Sequence, residues 1–211
     1  SLFASILFTI PVYIILHEGG HALIALSCGA RITEFSILGA YMRYEGGTFT
    51  ALTLSLFYIA GMLLPVLISI AYMLLYRDAA QSVFYRIFSF LFPLILTAPA
   101  LAWGIVPLLY LSDQAPPGDD VTGFIESSGA SPWAVLLGAV LLFAGCLFLA
   151  WQRKIIQNYW AAVRRVMSRS RGAKAVPLVR IGRYPPYTEG IYGAEQKDLR
   201  GCNRQLRKFQ P

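Results

Sequence analysis

The chain has 211 residues, of which 56% are hydrophobic and 14% are charged, and its mean hydropathy is +0.56. These values exclude an ordinary soluble domain. The 18 Lys and Arg outnumber the 11 Asp and Glu and give a formal net charge of +7. We predict an all-α polytopic membrane protein with about four transmembrane helices, a small β-hairpin between the first two and a basic C-terminal tail.

Four segments of the chain are long and apolar enough to cross the hydrocarbon core of a bilayer, which requires about twenty residues. The third segment contains three prolines, so we expect it to be kinked or broken rather than one straight helix. The predicted spans are Leu2 to Ser27, Ala51 to Tyr76, Val83 to Leu111, and Pro132 to Trp151.

The first span contains the only two histidines of the chain, in the HEGGH motif at residues 17–21. On a helix, His17 and His21 share a face and can bind one metal ion, while Glu18 reaches a metal-bound water. An HExxH string is often accidental in a soluble chain, and a helix histidine is often a core residue. Here the motif is surrounded by apolar residues, where polar groups are costly to bury, so we predict a metal site.

Between the first two spans, residues 31–50 alternate polar and apolar side chains around Gly39 and Gly46. This pattern predicts short strands or a hairpin. Because exposed strand edges cannot face lipid, the segment is expected at the interface or packed over the helices. It can serve as a simple connector or hold an extended peptide by strand addition, and the sequence supports both equally.

The composition changes after Trp151, because 14 of the 18 Lys and Arg follow it. We therefore divide the chain into a transmembrane core, residues 1–151, and a basic juxtamembrane tail, residues 152–211. Residues 153–171 are predicted to form an amphipathic helix on an anionic lipid surface, and the chain beyond Gly172 is predicted to be irregular. Lipid contact explains these charges, so no nucleic-acid partner is expected.

A tetrahedral zinc ion held by two histidines and a water needs one more protein ligand. No third histidine exists, so the ligand must be an acid. The loop after the third span is favoured, because a Pro-Pro-Gly turn precedes Asp119 and Asp120 and can aim a carboxylate back toward the metal; an ordinary solvated loop is the alternative. The candidate acids are Glu34, Glu45, Asp78, Asp113, Asp119, Asp120, Glu126, Glu189, Glu195 and Asp198.

The stretch HEGGHALIALSCGARITEFSILG resembles the start of a site-2 protease-like intramembrane zinc metalloprotease. The shared features are HExxH in a membrane helix, small residues after the second histidine and a strand-forming stretch. The resemblance extends to about Glu126. In that family a later membrane segment supplies an aspartate as third ligand, which corresponds here to Asp119 or Asp120, and we prefer Asp120. Residues 60–65 are similar to a second-helix motif in which a glycine approaches the active site.

The resemblance implies that the chain hydrolyses peptide bonds in or near the transmembrane helices of other proteins. Zn²⁺ would be held by His17, His21 and Asp120 or Asp119, and Glu18 would activate the zinc-bound water. Two departures from the family pattern are that Asp120 is not followed by glycine and that Pro65 replaces a polar or small residue. The alternative functions are a membrane metal-binding protein without protease activity, such as a transporter or sensor, and an inactive scaffold that binds client helices.

Overall fold

A computed structural model of the chain describes residues 2–79 and 82–174, with side chains as far as residue 168. The described residues are mostly helical, with one two-stranded sheet. The remainder of the predicted tail, residues 175–211, lies outside the described residues. The elements are α1 (Leu2–Ser27), β1 (Ala30–Ser36), β2 (Tyr41–Gly46), α2 (Ala51–Leu75), α3 (Val83–Thr97), α4 (Pro99–Leu111), α5 (Asp120–Ser128), α6 (Pro132–Gln152) and α7 (Ile155–Lys174).

Four helical segments are long and apolar enough to cross a membrane: α1, α2, α3 together with α4, and α6. Their outward faces carry large exposed hydrophobic residues, such as Leu7, Leu67 and Leu141. The prediction of four long apolar helices with a hairpin between the first two is therefore confirmed. The observed ends agree with the predicted ones to within one residue.

The third apolar segment is broken, as its prolines predicted. Helix α3 ends at Thr97, and Pro99 begins α4. Proline is tolerated in the first turn of a helix, where its missing N–H has no intrahelical partner, but it cannot continue a preceding helix without a lost hydrogen bond. Pro93 and Pro107 remain inside α3 and α4. The break gives α3 and α4 different neighbours, since α3 packs on α1 and α2 whereas α4 packs on α6.

Helix α2 lies at the centre of the packing and contacts α1, α3 and α5. Its apolar residues Met62, Val66 and Met73 belong to a core that also includes Trp103 and Ile125. Small polar side chains line the contacts of α2 with α3, where the Ser69 hydroxyl donates to the Pro93 carbonyl over 3.2 Å. In a bilayer the hydrophobic effect hardly favours contacts between helices over contacts with lipid. Hydrogen bonds between helices therefore contribute to their association.

The C-terminal ends of α2 and α6 lie together. The guanidinium of Arg153, directly after α6, donates to the carbonyls of Met73 at 3.1 Å and Leu74 at 2.6 Å. These carbonyls lie in the last turn of α2, where a helix leaves carbonyls without an i+4 partner, and the Met73 carbonyl also accepts the N–H of Tyr76 at 3.3 Å. The hairpin precedes the first residue of α2, so the start of α7 and the hairpin lie at opposite ends of α2.

Helix α7 covers most of the segment in which the sequence predicts an amphipathic helix. Part of its apolar face contacts protein: Ile155 is buried, and the Tyr159 ring stacks on Phe90 of α3 at 4.2 Å between centroids. Farther along, Trp160 and Val166 are exposed. The first turns of α7 are therefore packed on α3, and the apolar surface left for other contacts lies beyond them.

Strands β1 and β2 form the predicted hairpin, with Ile32 opposite Tyr44 and Phe35 opposite Met42. A backbone hydrogen bond of 2.9 Å from Thr48 N to Cys28 O closes its base. The hairpin rests on the start of α2, because the rings of Tyr44 and Phe57 lie 5.4 Å apart. This contact brings the first residues of β2 over the histidines of α1.

Candidate metal centre

Three side chains from two distant parts of the chain converge on one point. The Nε2 atoms of His17 and His21, one helical turn apart on α1, are 3.3 Å from each other. The Oδ2 atom of Asp120, the first residue of α5, is 3.3 Å from the His17 nitrogen and 3.2 Å from the His21 nitrogen. These three atoms form a nearly equilateral triangle, and the described residues show no other such group.

The triangle has the size of one face of a metal coordination tetrahedron. Where N and O ligands bind a tetrahedral ion at about 2.0–2.1 Å, neighbouring ligands are separated by about 3.3 Å. The donor set, two imidazoles and a carboxylate, is also one that metal ions accept. His17, His21 and Asp120 can therefore hold a metal ion, with the fourth corner of the tetrahedron left for a water or a substrate oxygen.

The second nitrogen of each imidazole has a partner that orients the ring. His21 Nδ1 is 2.8 Å from the Phe57 carbonyl of α2, which requires this nitrogen to carry the proton and leaves Nε2 free as a ligand. His17 Nδ1 is 3.4 Å from the Tyr13 hydroxyl, one turn earlier on α1. The sequence motif did not reveal these two partners, because backbone carbonyls and aromatic residues are present throughout the helices.

Two glycines allow α1 and α2 to meet at the histidines. A Cβ atom at Gly20 would lie 2.7 Å from the Ala60 carbonyl carbon, so the backbones of α1 and α2 approach each other there only because residue 20 has no side chain. A Cβ atom at Gly61 of α2 would lie 2.7 Å from His21 Cε1 and 2.9 Å from His17 Cε1. Gly19, by contrast, faces open space.

We expect the Gly61→Ala variant to bind metal at least about tenfold more weakly than the wild type, because its methyl group would displace both imidazoles. Overpacking should also lower the free energy of unfolding by about 1–3 kcal/mol. Zinc titration and thermal unfolding of the purified protein measure the two effects. Gly19→Ala is the matched control, since it adds the same methyl group to open space, and equal affinities of the two variants would contradict the prediction.

The two adjacent aspartates have different tasks. Asp119 is the N-cap of α5, and its Oδ2 accepts hydrogen bonds from the backbone N–H of Val121 at 2.9 Å and of Thr122 at 3.3 Å. Its carboxylate thereby satisfies two of the free N–H groups at the start of the helix. Asp119 lies outside the group that could hold a metal ion, whereas Asp120 belongs to that group together with His17 and His21.

The environment of Asp120 favours its ionised form. Burial raises the pKa of this carboxyl, but its contacts with the rings of His17 and His21 outweigh burial and lower its pKa to about 2. Among the other candidate acids, Glu34 binds Arg43 in the hairpin at 3.2 Å and Asp78 lies 3.8 Å from Lys154. Neither takes part in the histidine group. Glu189, Glu195 and Asp198 lie outside the described residues.

A cavity of about 190 Å³ opens at the histidines. Glu18 is 8% exposed and lines this cavity together with His17, His21 and Asp120. Tyr41 and Met42, the first residues of β2, form another part of its wall, a role that the alternating pattern of residues 31–50 did not reveal. The lining residues are His17, Glu18, His21, Ala40, Tyr41, Met42, Phe57 and Asp120.

Comparisons with protein-family models, with curated proteins and with solved structures find no match to this chain. Its function is therefore inferred from the residues and geometry of the site.

Proposed function

We propose that the chain is a multi-pass integral membrane protein and a zinc-dependent intramembrane metalloprotease of the site-2 protease type. The observation that carries this proposal is that Asp120 of α5 meets His17 and His21 of the apolar helix α1 at a cavity that Glu18 also lines. Ten residues separate His17 from the end of α1, which is about 15 Å of helix, or roughly half the thickness of a hydrocarbon core.

The three ligands would bind Zn²⁺, which is suited to a histidine and carboxylate set that leaves one position open. When bound, zinc would lower the pKa of a coordinated water toward neutrality and polarise the carbonyl of the scissile peptide bond. The chain's own contribution starts with Phe57, whose carbonyl accepts the Nδ1 proton of His21 and directs Nε2 into the site.

Glu18 is the general base of the proposed reaction. Its carboxylate accepts a proton from the attacking water and then donates it to the nitrogen of the leaving amine. The position of Glu18 supports this role, since it lines the cavity next to the ligands without belonging to the triangle that they form. A transporter or sensor would need the ligands but would not need a carboxylate in this position.

The proposed substrate is the transmembrane helix of another protein, unwound near the scissile bond. Gly19 leaves open space beside the ligands on α1, and the wall formed by Tyr41 and Met42 faces the ligands across the cavity. An extended segment lying between this wall and the histidines would expose its peptide carbonyls to the site. The polar lining of the cavity also provides a place for the water that hydrolysis consumes.

The experiment that tests the proposal measures zinc and cleavage in the same preparation. We expect the protein purified in detergent to contain one zinc per chain and to cleave a single-span test protein whose membrane helix is interrupted by glycine and proline. Removal of the zinc with a chelator should abolish cleavage, and added zinc should restore it.

A His17→Ala/His21→Ala variant serves as the control and should neither bind zinc nor cleave. Absence of zinc from the wild-type protein would favour the inactive scaffold. Stoichiometric zinc without cleavage would favour the transporter or sensor.

A further inference from the structure

Helix α5 is short, and it positions Asp120 next to the two histidines. It has nine residues, lies between loops that contain Gly118 and Gly129 with φ of 73° and 66°, and carries Asp120 at its first position. A nine-residue helix is not stable by itself in water, so contacts with the rest of the protein must hold it in place. Those contacts also determine whether the Asp120 carboxylate reaches the histidines.

One face of α5 packs on α2. Asp120, Gly123 and Ser127 are spaced by three and four residues, so they lie along one side of the helix. Gly123 meets the Tyr58 ring of α2 so closely that a Cβ atom there would lie 2.5 Å from Cε1 and 2.6 Å from Cε2. One turn later, the Ser127 and Ser55 hydroxyl oxygens are 3.0 Å apart, joining α5 to the first turns of α2.

We infer that Gly123 and Ser127 are positioning residues for the metal centre. Their contacts with Tyr58 and Ser55 hold α5 against α2. The position of α5 then sets the distance between Asp120 and the two histidines. None of these four residues belongs to the group that could hold the metal ion, and they act through the placement of α5. The inference rests on the metal site of the proposed function but not on protease activity.

The close fit at Gly123 explains why a glycine is needed in the middle of so short a helix. Glycine in a helix interior costs about 1 kcal/mol relative to alanine. At this position, however, a Cβ atom would overlap the Tyr58 ring, so the ring must move aside or α5 must be displaced. Because Asp120 is one turn from Gly123 on the same face, such a displacement would move the carboxylate away from the histidines.

The test measures the zinc affinity of the full chain in detergent by competition with a chromophoric chelator. We expect Gly123→Ala to weaken zinc binding about 10- to 100-fold, the range found when groups that orient metal ligands are lost. Adding Tyr58→Leu to this variant removes the ring that the methyl group meets and should restore most of the affinity. Gly145→Ala is the matched control, because a Cβ atom there meets nothing within 4 Å, and its affinity should equal the wild-type value.

A second pair of variants covers the case in which Gly123→Ala does not fold. Ser127→Ala removes the hydroxyl that contacts Ser55 and should weaken zinc binding about three- to tenfold. Ser128→Ala removes a neighbouring hydroxyl that donates to Phe124 O and accepts from Ala130 N–H but makes no bond to α2, and it should leave the affinity unchanged.

Wild-type affinity in both Gly123→Ala and Ser127→Ala would overturn the inference while leaving the proposed function intact. Loss of affinity in Gly123→Ala that Tyr58→Leu does not restore, together with equal affinities of Ser127→Ala and Ser128→Ala, would also overturn it. If the wild-type protein binds zinc and the variants show the expected affinities, but no cleavage occurs, the result would contradict the protease activity and support the positioning role of Gly123 and Ser127. A wild-type protein without zinc would overturn both.

Discussion

The Glu18→Gln variant should retain its zinc and lose about 10²- to 10⁴-fold in the rate of peptide-bond cleavage. Glutamine has nearly the same shape as glutamate but cannot accept the proton of the attacking water at neutral pH. Zinc affinity should be unchanged, because Glu18 lines the cavity and does not belong to the triangle of ligand atoms. Cleavage of the single-span test protein and zinc content of the same preparation are the two measurements.

Glu126→Gln is the matched control for this experiment. Glu126 is an exposed acid on α5 and does not line the cavity, so its amide variant should cleave at the wild-type rate. If Glu18→Gln also cleaves at that rate, Glu18 is not the general base. If Glu18→Gln loses its zinc, the carboxylate has a role in metal binding that the geometry of the ligand triangle does not explain.

The helices and the histidine pair could be predicted because they depend on local patterns. A run of twenty apolar residues is a helix in a bilayer regardless of its neighbours, since the backbone must satisfy its own hydrogen bonds there. His17 and His21 share a face through helical spacing alone. Pro99 ended α3 for an equally local reason, the absence of an N–H group.

The third ligand depends on contacts that the local sequence does not encode. Asp119 and Asp120 are adjacent and chemically identical, and the chain separates them from the histidines by about a hundred residues. What distinguishes them is the start of α5, where Asp119 turns its carboxylate back to the helix N–H groups and Asp120 enters the first turn. A helix start displaced by one residue would exchange their roles.

The wall of the cavity was beyond prediction for a similar reason. The alternating pattern of residues 31–50 indicated a hairpin, and the hairpin is present. Its position over the histidines depends on the packing of Tyr44 of β2 and Phe49 of the following connection against Phe57 of α2. Aromatic contacts between separate elements have no spacing rule that could reveal them in advance.

A comparison of zinc binding by the Asp120→Asn and Asp119→Asn variants tests the metal centre most directly. Asp120→Asn should weaken zinc binding by more than about 100-fold, because it removes the anionic ligand that lies 3.2 Å and 3.3 Å from the two imidazole nitrogens. Asp119→Asn should bind zinc as the wild type does. Asparagine is as good an N-cap as aspartate, so the second variant keeps α5 intact while changing the same chemical group one residue away.

Zinc titration of both variants, together with their thermal unfolding with and without zinc, separates a lost ligand from a lost fold. A ligand that binds only the native state stabilises it by RT ln(1 + [L]/Kd), so zinc should stabilise Asp119→Asn and the wild type equally and stabilise Asp120→Asn far less. Equal stabilisation of all three proteins would mean that Asp120 is not a ligand. The opposite order, with Asp119→Asn the weaker binder, would mean that α5 begins one residue earlier when the metal is bound.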